Sequence, residues 1–115
     1  MSKQSISLLT LSIAASGAIV ANRFVTHARD QAVADENTLG VATTEAADGD
    51  VLAVDVLGTA IVEAGAAVAA GATLKADANG KAITWVTSGA KVAVALDAAS
   101  ADGDFIEVLL IPNAA

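Results

Sequence analysis

The stretch Val51–Lys81, VLAVDVLGTAIVEAGAAVAAGATLKADANGK, decides the fold class. Apolar residues alternate with polar or small ones through Val51–Leu57 and again through Ala60–Glu63, which is the period of a half-buried strand. Gly58-Thr59, the spaced glycines Gly65 and Gly71, and Asn79-Gly80 punctuate these runs. The pattern predicts a β-meander, with Val51–Leu57, Ala60–Glu63 and Thr73–Ala76 as separate strands. Ala64–Ala70 is rich in alanine, but the glycines at its ends leave room for no more than a turn or two of helix.

The same logic extends in both directions. Ser5–Ile13 reads as a first strand, Ala14–Gly17 as a turn and Ala18–His27 as a second strand. In that second strand Ile19, Ala21, Arg23 and Val25 would share one face, and Val20, Asn22, Phe24 and Thr26 the other. Leu39–Thr43 forms a short strand, and Ala46-Ala47-Asp48-Gly49-Asp50 a turn into Val51. Ser100-Ala101-Asp102-Gly103-Asp104 repeats that turn between Val92–Leu96 and Phe105–Leu110, so the chain carries two related hairpins. Asp-Gly suits such turns because glycine takes positive φ without steric cost. Ala82–Thr87 completes the series, and Pro112 ends the last strand because proline cannot donate to a ladder. About nine short strands at this spacing predict an all-β sandwich or barrel-like domain.

Composition narrows the function classes. The chain has 115 residues and no cysteine, which predicts one domain over 1–115 without disulfides, thiol chemistry or cysteine-bound zinc. A single histidine argues against a histidine-built metal centre. Hydrophobic residues make up 55% of the chain while aromatics make up 3%. Small side chains bury little area each, so association is the simplest way to bury more. The net charge of −7, with six scattered Lys and Arg, argues against nucleic acid and against an anionic membrane as the binding surface.

Several motifs invite a sharper reading. Lys3 followed by an apolar run resembles a secretory signal peptide, but Ser5, Ser7, Thr10 and Ser12 interrupt it at strand spacing. The pairs Asp48/Asp50 and Asp102/Asp104 supply oxygen ligands of the kind Ca²⁺ takes, yet each flanks a turn glycine, where Asp bonds its own backbone. His27 lacks a Ser or Asp at nucleophile spacing and reads as a surface or interface residue. Trp85 fits either an interface anchor or a core filler. No loop has the spacing to cradle phosphate. Val62–Leu74 looks like the turn of biotinyl and lipoyl carrier domains, but the following Asp77-Ala78-Asn79-Gly80-Lys81 lacks the Met-Lys-Met acceptor. The sequence therefore implies no cofactor. Arg29–Asn37 is the most polar segment and, since loops carry contacts, the expected contact loop.

Taken together, the chain resembles the small capsid decoration (cement) proteins of tailed bacteriophages. The similarity is carried by the opening Ser5–His27, by Leu39-Gly40-Val41-Ala42, and by Ala46-Ala47-Asp48-Gly49-Asp50 with Val54. It continues through Gly58-Thr59-Ala60, Val62-Glu63-Ala64-Gly65 and Gly71-Ala72-Thr73-Leu74, and closes on Val94–Ala99 and Gly103–Leu110. The resemblance implies a structural virion protein and not an enzyme, made in the host cytoplasm and carried on the outer surface of the phage head. It also implies a homotrimer bridging copies of the major capsid protein. Residues 1–13, as an extended arm, or loop 29–37 are the expected capsid contact, with Ile6, Leu8, Leu9, Leu11, Arg29, Asp30 and Trp85 as candidate interface residues. Two rival readings are a secreted or surface β-domain with a cleaved N-terminal signal and a degenerate biotinyl/lipoyl-like barrel.

Overall fold

A computed structural model describes residues 6–111 of the chain. Pro112, expected to end the last strand, lies outside them, as do residues 1–5 of the expected arm. Among the described residues there are eight strands and no helix: β1 (Ser7–Ala14), β2 (Phe24–Val25), β3 (Gly40–Ala42), β4 (Val51–Glu63), β5 (Thr73–Ala76), β6 (Ala82–Thr84), β7 (Ala93–Ala95) and β8 (Phe105–Leu110). They form a nearly closed, barrel-like antiparallel sheet in the order β2-β3-β4-β8-β7-β5-β6, with β1 also pairing β4.

Two sequence expectations are corrected. Gly58-Thr59 does not separate two strands; β4 runs through it for 13 residues. Gly58 takes φ 97°, and a side chain there would meet the Ile6 carbonyl oxygen at 2.3 Å, so the glycine makes a bulge that lets β1 cross at close range. The second strand, expected over Ala18–His27, shrinks to Phe24–Val25. Asn22 stands at φ 62°, which breaks the extended run, and Phe24, Val25 and Thr26 are all buried, so no alternation survives.

The related hairpins prove to be part of a larger repeat. Residues 7–57 and 58–110 follow one plan, and β4 belongs to both, as the last strand of half one and the first of half two. In half one β1 pairs β4 with Ile13 opposite Leu52 and Leu11 opposite Val54. In half two β4 pairs β8 with Val62 opposite Ile106 and Ala60 opposite Val108. Phe24 opposite Val41 answers to Thr73 opposite Val94. The turns match as well. Gly49 N donates to Ala15 O at 2.8 Å and Gly103 N to Ala64 O at 2.8 Å, while Asn22 N donates to Ala42 O and Gly71 N to Ala95 O.

The two halves stack in a fixed sense. In half one, Val25, Ala42, Leu52 and Val54 line one face, the near face, over a small core with Ala15, Ile19 and Ala46. Adjacent strand residues point oppositely, so Phe24 and Val41 line the far face. That far face, with Ala32, packs into the larger core against Val62, Leu74, Ala95, Ile106 and Val108, which are the near face of half two. The far face of one unit therefore fills the near face of the next.

Candidate interaction surface

β1 is the most exposed strand of the molecule. Ile6, Leu8, Leu9 and Leu11 stand 54%, 72%, 47% and 37% exposed, and Val51, opposite Ala14, is 72% exposed. The apolar run predicted for the start of the chain thus turns outward rather than into the core. Its hold on β4 is nonetheless specific. Thr10 Oγ1 donates to the buried Asp55 Oδ1 at 2.9 Å, and Ile6 exchanges bonds with Thr59, donating its N–H to Oγ1 at 2.8 Å and accepting from the backbone N–H at 2.9 Å.

A second apolar patch lies on β7 and β8. Leu96, Phe105 and Leu109 are 40%, 43% and 45% exposed, and Val94, opposite Leu109, is half-buried beside them. Trp85 follows β6 and is half-buried; its indole N–H donates to Gly89 O at 2.9 Å, and Lys91 Nζ sits 4.4 Å from the ring centre. Of the two readings of Trp85, the core filler gives way, because its ring belongs to neither hydrophobic core.

The polar loop is tied at several points. Arg29 is exposed at φ 72°, its carbonyl accepting from Ser16 N at 2.8 Å, and Asp30 accepts a short bond from Thr26 Oγ1. Further along, Lys75 Nζ reaches Asp35 Oδ1 at 2.7 Å and Ser88 Oγ reaches Oδ2 at 3.1 Å. The hydrogen bond from Lys75, with a smaller one from Ser88, holds the Asp35 carboxyl below its ordinary value. The loop therefore meets the turn after Trp85 through Asp35 and Ser88, while Arg29 and Asp30 are held by Ser16 and Thr26 instead.

The remaining candidates have structural duties. Asp50 Oδ2 accepts from Ala47 N and Asp104 Oδ2 from Ser100 N, so both acidic turns close on themselves in separate hairpins. Asp48 accepts from Gly17 N, and Asp102 from Lys81. Among the described residues no group of three or more His, Asp or Glu is placed to hold a metal ion. Lys81, the residue nearest a carrier position, is ion-paired to Glu63 at 3.3 Å and to Asp102 at 3.0 Å. The Asp102 bond chiefly, then the Glu63 bond, raises its pKa. His27 is exposed, as expected for a surface residue. A concavity of about 480 Å³ is lined by Ala18–Val20, Glu45–Ala47 and Asp50, the ionisable groups among the described lining residues being the carboxylates of Glu45 and Asp50.

The described residues thus form an all-β domain whose exposed apolar side chains gather on β1 and around β7 and β8. The family model for phage cement proteins matches residues 3–110, and the chain belongs to that family. It is accordingly a structural virion protein that decorates a phage capsid. The chain is similar in fold to the N base of head fiber gp8.5 in bacteriophage phi29, with a TM-score of 0.75, 18% identity and coverage of 90% of this chain and 93% of that one. No curated protein matches it.

Proposed function

We propose that the protein sits on the outer surface of the phage head as a trimer, joins neighbouring major capsid protein subunits, and catalyses no reaction. The observation that carries the reading is the outward apolar face of β1. Large exposed apolar areas on soluble proteins mark interaction sites, and Ile6, Leu8, Leu9 and Leu11 are all exposed along this one strand. The physical action is mass action: a protein that binds the assembled shell and not its separated subunits stabilises the shell by the free energy of that binding. The fold neighbour is itself a phage head fiber base, which agrees with an outward-facing position. The acidic surface that goes with a net charge of −7 keeps such a particle soluble and repels stray nucleic acid.

Light scattering behind size exclusion, joined to limited proteolysis of intact decorated heads, tests this reading. A mass of three chains and digestion of the protein on unbroken heads are expected. A species of another size on the heads, or protection until the heads are opened, would overturn the trimer or the outer placement respectively.

A further inference from the structure

Within the chain, the far face of half one (Phe24, Val41 and Ala32) fills the near face of half two. The contact is completed at a strand edge: Glu63 N donates to Asn22 O at 2.8 Å and Asn22 Nδ2 to Ile61 O at 3.1 Å, so half one caps the outer edge of half two's first strand. The equivalent of that strand in half one is β1. Its near-face residue Leu11 answers to Ala60, which is fully buried, yet Leu11 is 37% exposed. Among the described residues nothing pairs with the outer edge of β1 at Ser12 and Ala14, the counterparts of Ile61 and Glu63.

The other end of the stack is unfilled in a complementary way. Half two's far face carries Thr73 and Val94 where half one has Phe24 and Val41. Trp85 stands where Ala32 does, since Ala32 N donates to Phe24 O and Trp85 N to Thr73 O. Beside them Leu109 is 45% exposed. At one end Leu11 and the outer edge of β1 are thus left open beside a near face that is otherwise buried, and the other end presents a far face that covers nothing.

We propose that copies of this chain join head to tail, with the Trp85, Val94 and Leu109 face of one copy seated on the β1 face and edge of the next, repeating the contact the chain makes within itself. This is a heterologous interface, which closes into a ring or grows into a fibre. It rests on the trimer reading above for closure at three copies. The same geometry gives the interface an aromatic anchor at Trp85, the residue type enriched where binding energy concentrates.

The absence of cysteine makes the test clean. Leu11→Cys and Leu109→Cys chains are mixed, allowed to associate and treated with a short bismaleimide. The expected product is a cross-link between the two variants, with little from either variant alone. A Leu11→Cys sample that links to itself, or a mixed oligomer of confirmed mass that does not link, overturns the proposal. Trp85→Ala is expected to weaken association at least tenfold while the circular dichroism of the monomer is unchanged; undiminished association contradicts the proposal. Head binding is scored separately on the same samples. Correct cross-links without head binding defeat the outer-surface reading alone, and head binding with the wrong cross-links defeats the head-to-tail contact alone.

Discussion

Replacing Phe24 with alanine is expected to lower the unfolding free energy by about 3–5 kcal/mol, the usual cost of emptying a buried aromatic site. Phe24 heads the largest fully buried side chains, with no solvent exposure, in a chain whose core is otherwise built from Val, Ala, Leu and Ile. It is also the ring that half one inserts into the core of half two. Its backbone is fixed on both sides, with N donating to Gly80 O at 2.8 Å and O accepting from Ala32 N at 2.9 Å, so the site has little freedom to collapse around a truncated side chain. Small neighbours such as Ala60, Ala64 and Ala93 offer nothing long enough to swing into the void. Urea denaturation followed by far-ultraviolet circular dichroism measures the change. Phe105→Ala is the control, since Phe105 is 43% exposed on β8 and its loss is expected to cost less than about 1 kcal/mol. Equal effects at the two positions would contradict the stacking of the halves through Phe24.

Gly40→Ala is expected to destabilise the fold by about 3 kcal/mol, the upper end of the ordinary cost of overpacking. A Cβ at this position would lie 2.0 Å from the Asp55 carbonyl oxygen and 3.1 Å from Val54 Cγ1. Neither can retreat cheaply. The carbonyl belongs to the backbone of β4, and Val54 is fully buried in the smaller core. The added methyl therefore has to push β3 away from β4, loosening the pairing of Val41 with Asp55 and of Ala42 with Val54. Denaturation gives the magnitude, and hydrogen exchange locates it, with faster exchange expected at the β2–β3–β4 end and the β5–β6–β7 end little changed. A Gly40→Ala variant as stable as the parent would show that β3 and β4 do not approach so closely.

Much of this architecture is legible in the sequence because turns are local. Gly49-Asp50 and Gly103-Asp104 announce their hairpins, since Asp50 and Asp104 accept from the backbone of their own turns and both glycines take positive φ, at 87° and 93°. Long-range features are not written that way. Gly58 beside Thr59 reads as a turn, and only the approach of Ile6 from far away in the sequence makes it a bulge inside one long strand. Ala18–His27 alternates like a strand, but its residues divide between two cores, Phe24 to one and Val25 to the other, so the alternation has no single sheet to serve.

The repeat itself is hidden for the same reason. Its equivalent positions share burial and backbone shape, not identity: Ile19 and Val68 are both buried bridge residues, and Asn22 and Gly71 both take positive φ at the same turn. Only the acidic hairpin turns kept enough identity to be seen in the sequence. The interaction surface shows the same divide. The leucines of β1 and the lone Trp85 stand out by residue type, but which face is left uncovered depends on the stacking of the halves. Leu96, Phe105 and Leu109 do not stand out in the sequence, because an apolar residue on an alternating strand looks the same whether it faces core or water.

A protein that decorates a phage head stabilises it by preferring the assembled shell to its dispersed subunits. The most direct measurement is cosedimentation of the purified protein with undecorated heads of its phage, set beside binding to the dispersed major capsid protein. Saturable binding to heads, with dispersed subunits bound at least a hundredfold more weakly, is the expected result, since a shell is stabilised only by what prefers it to its parts. Equal binding to heads and to free subunits, or no binding to heads, would contradict the account.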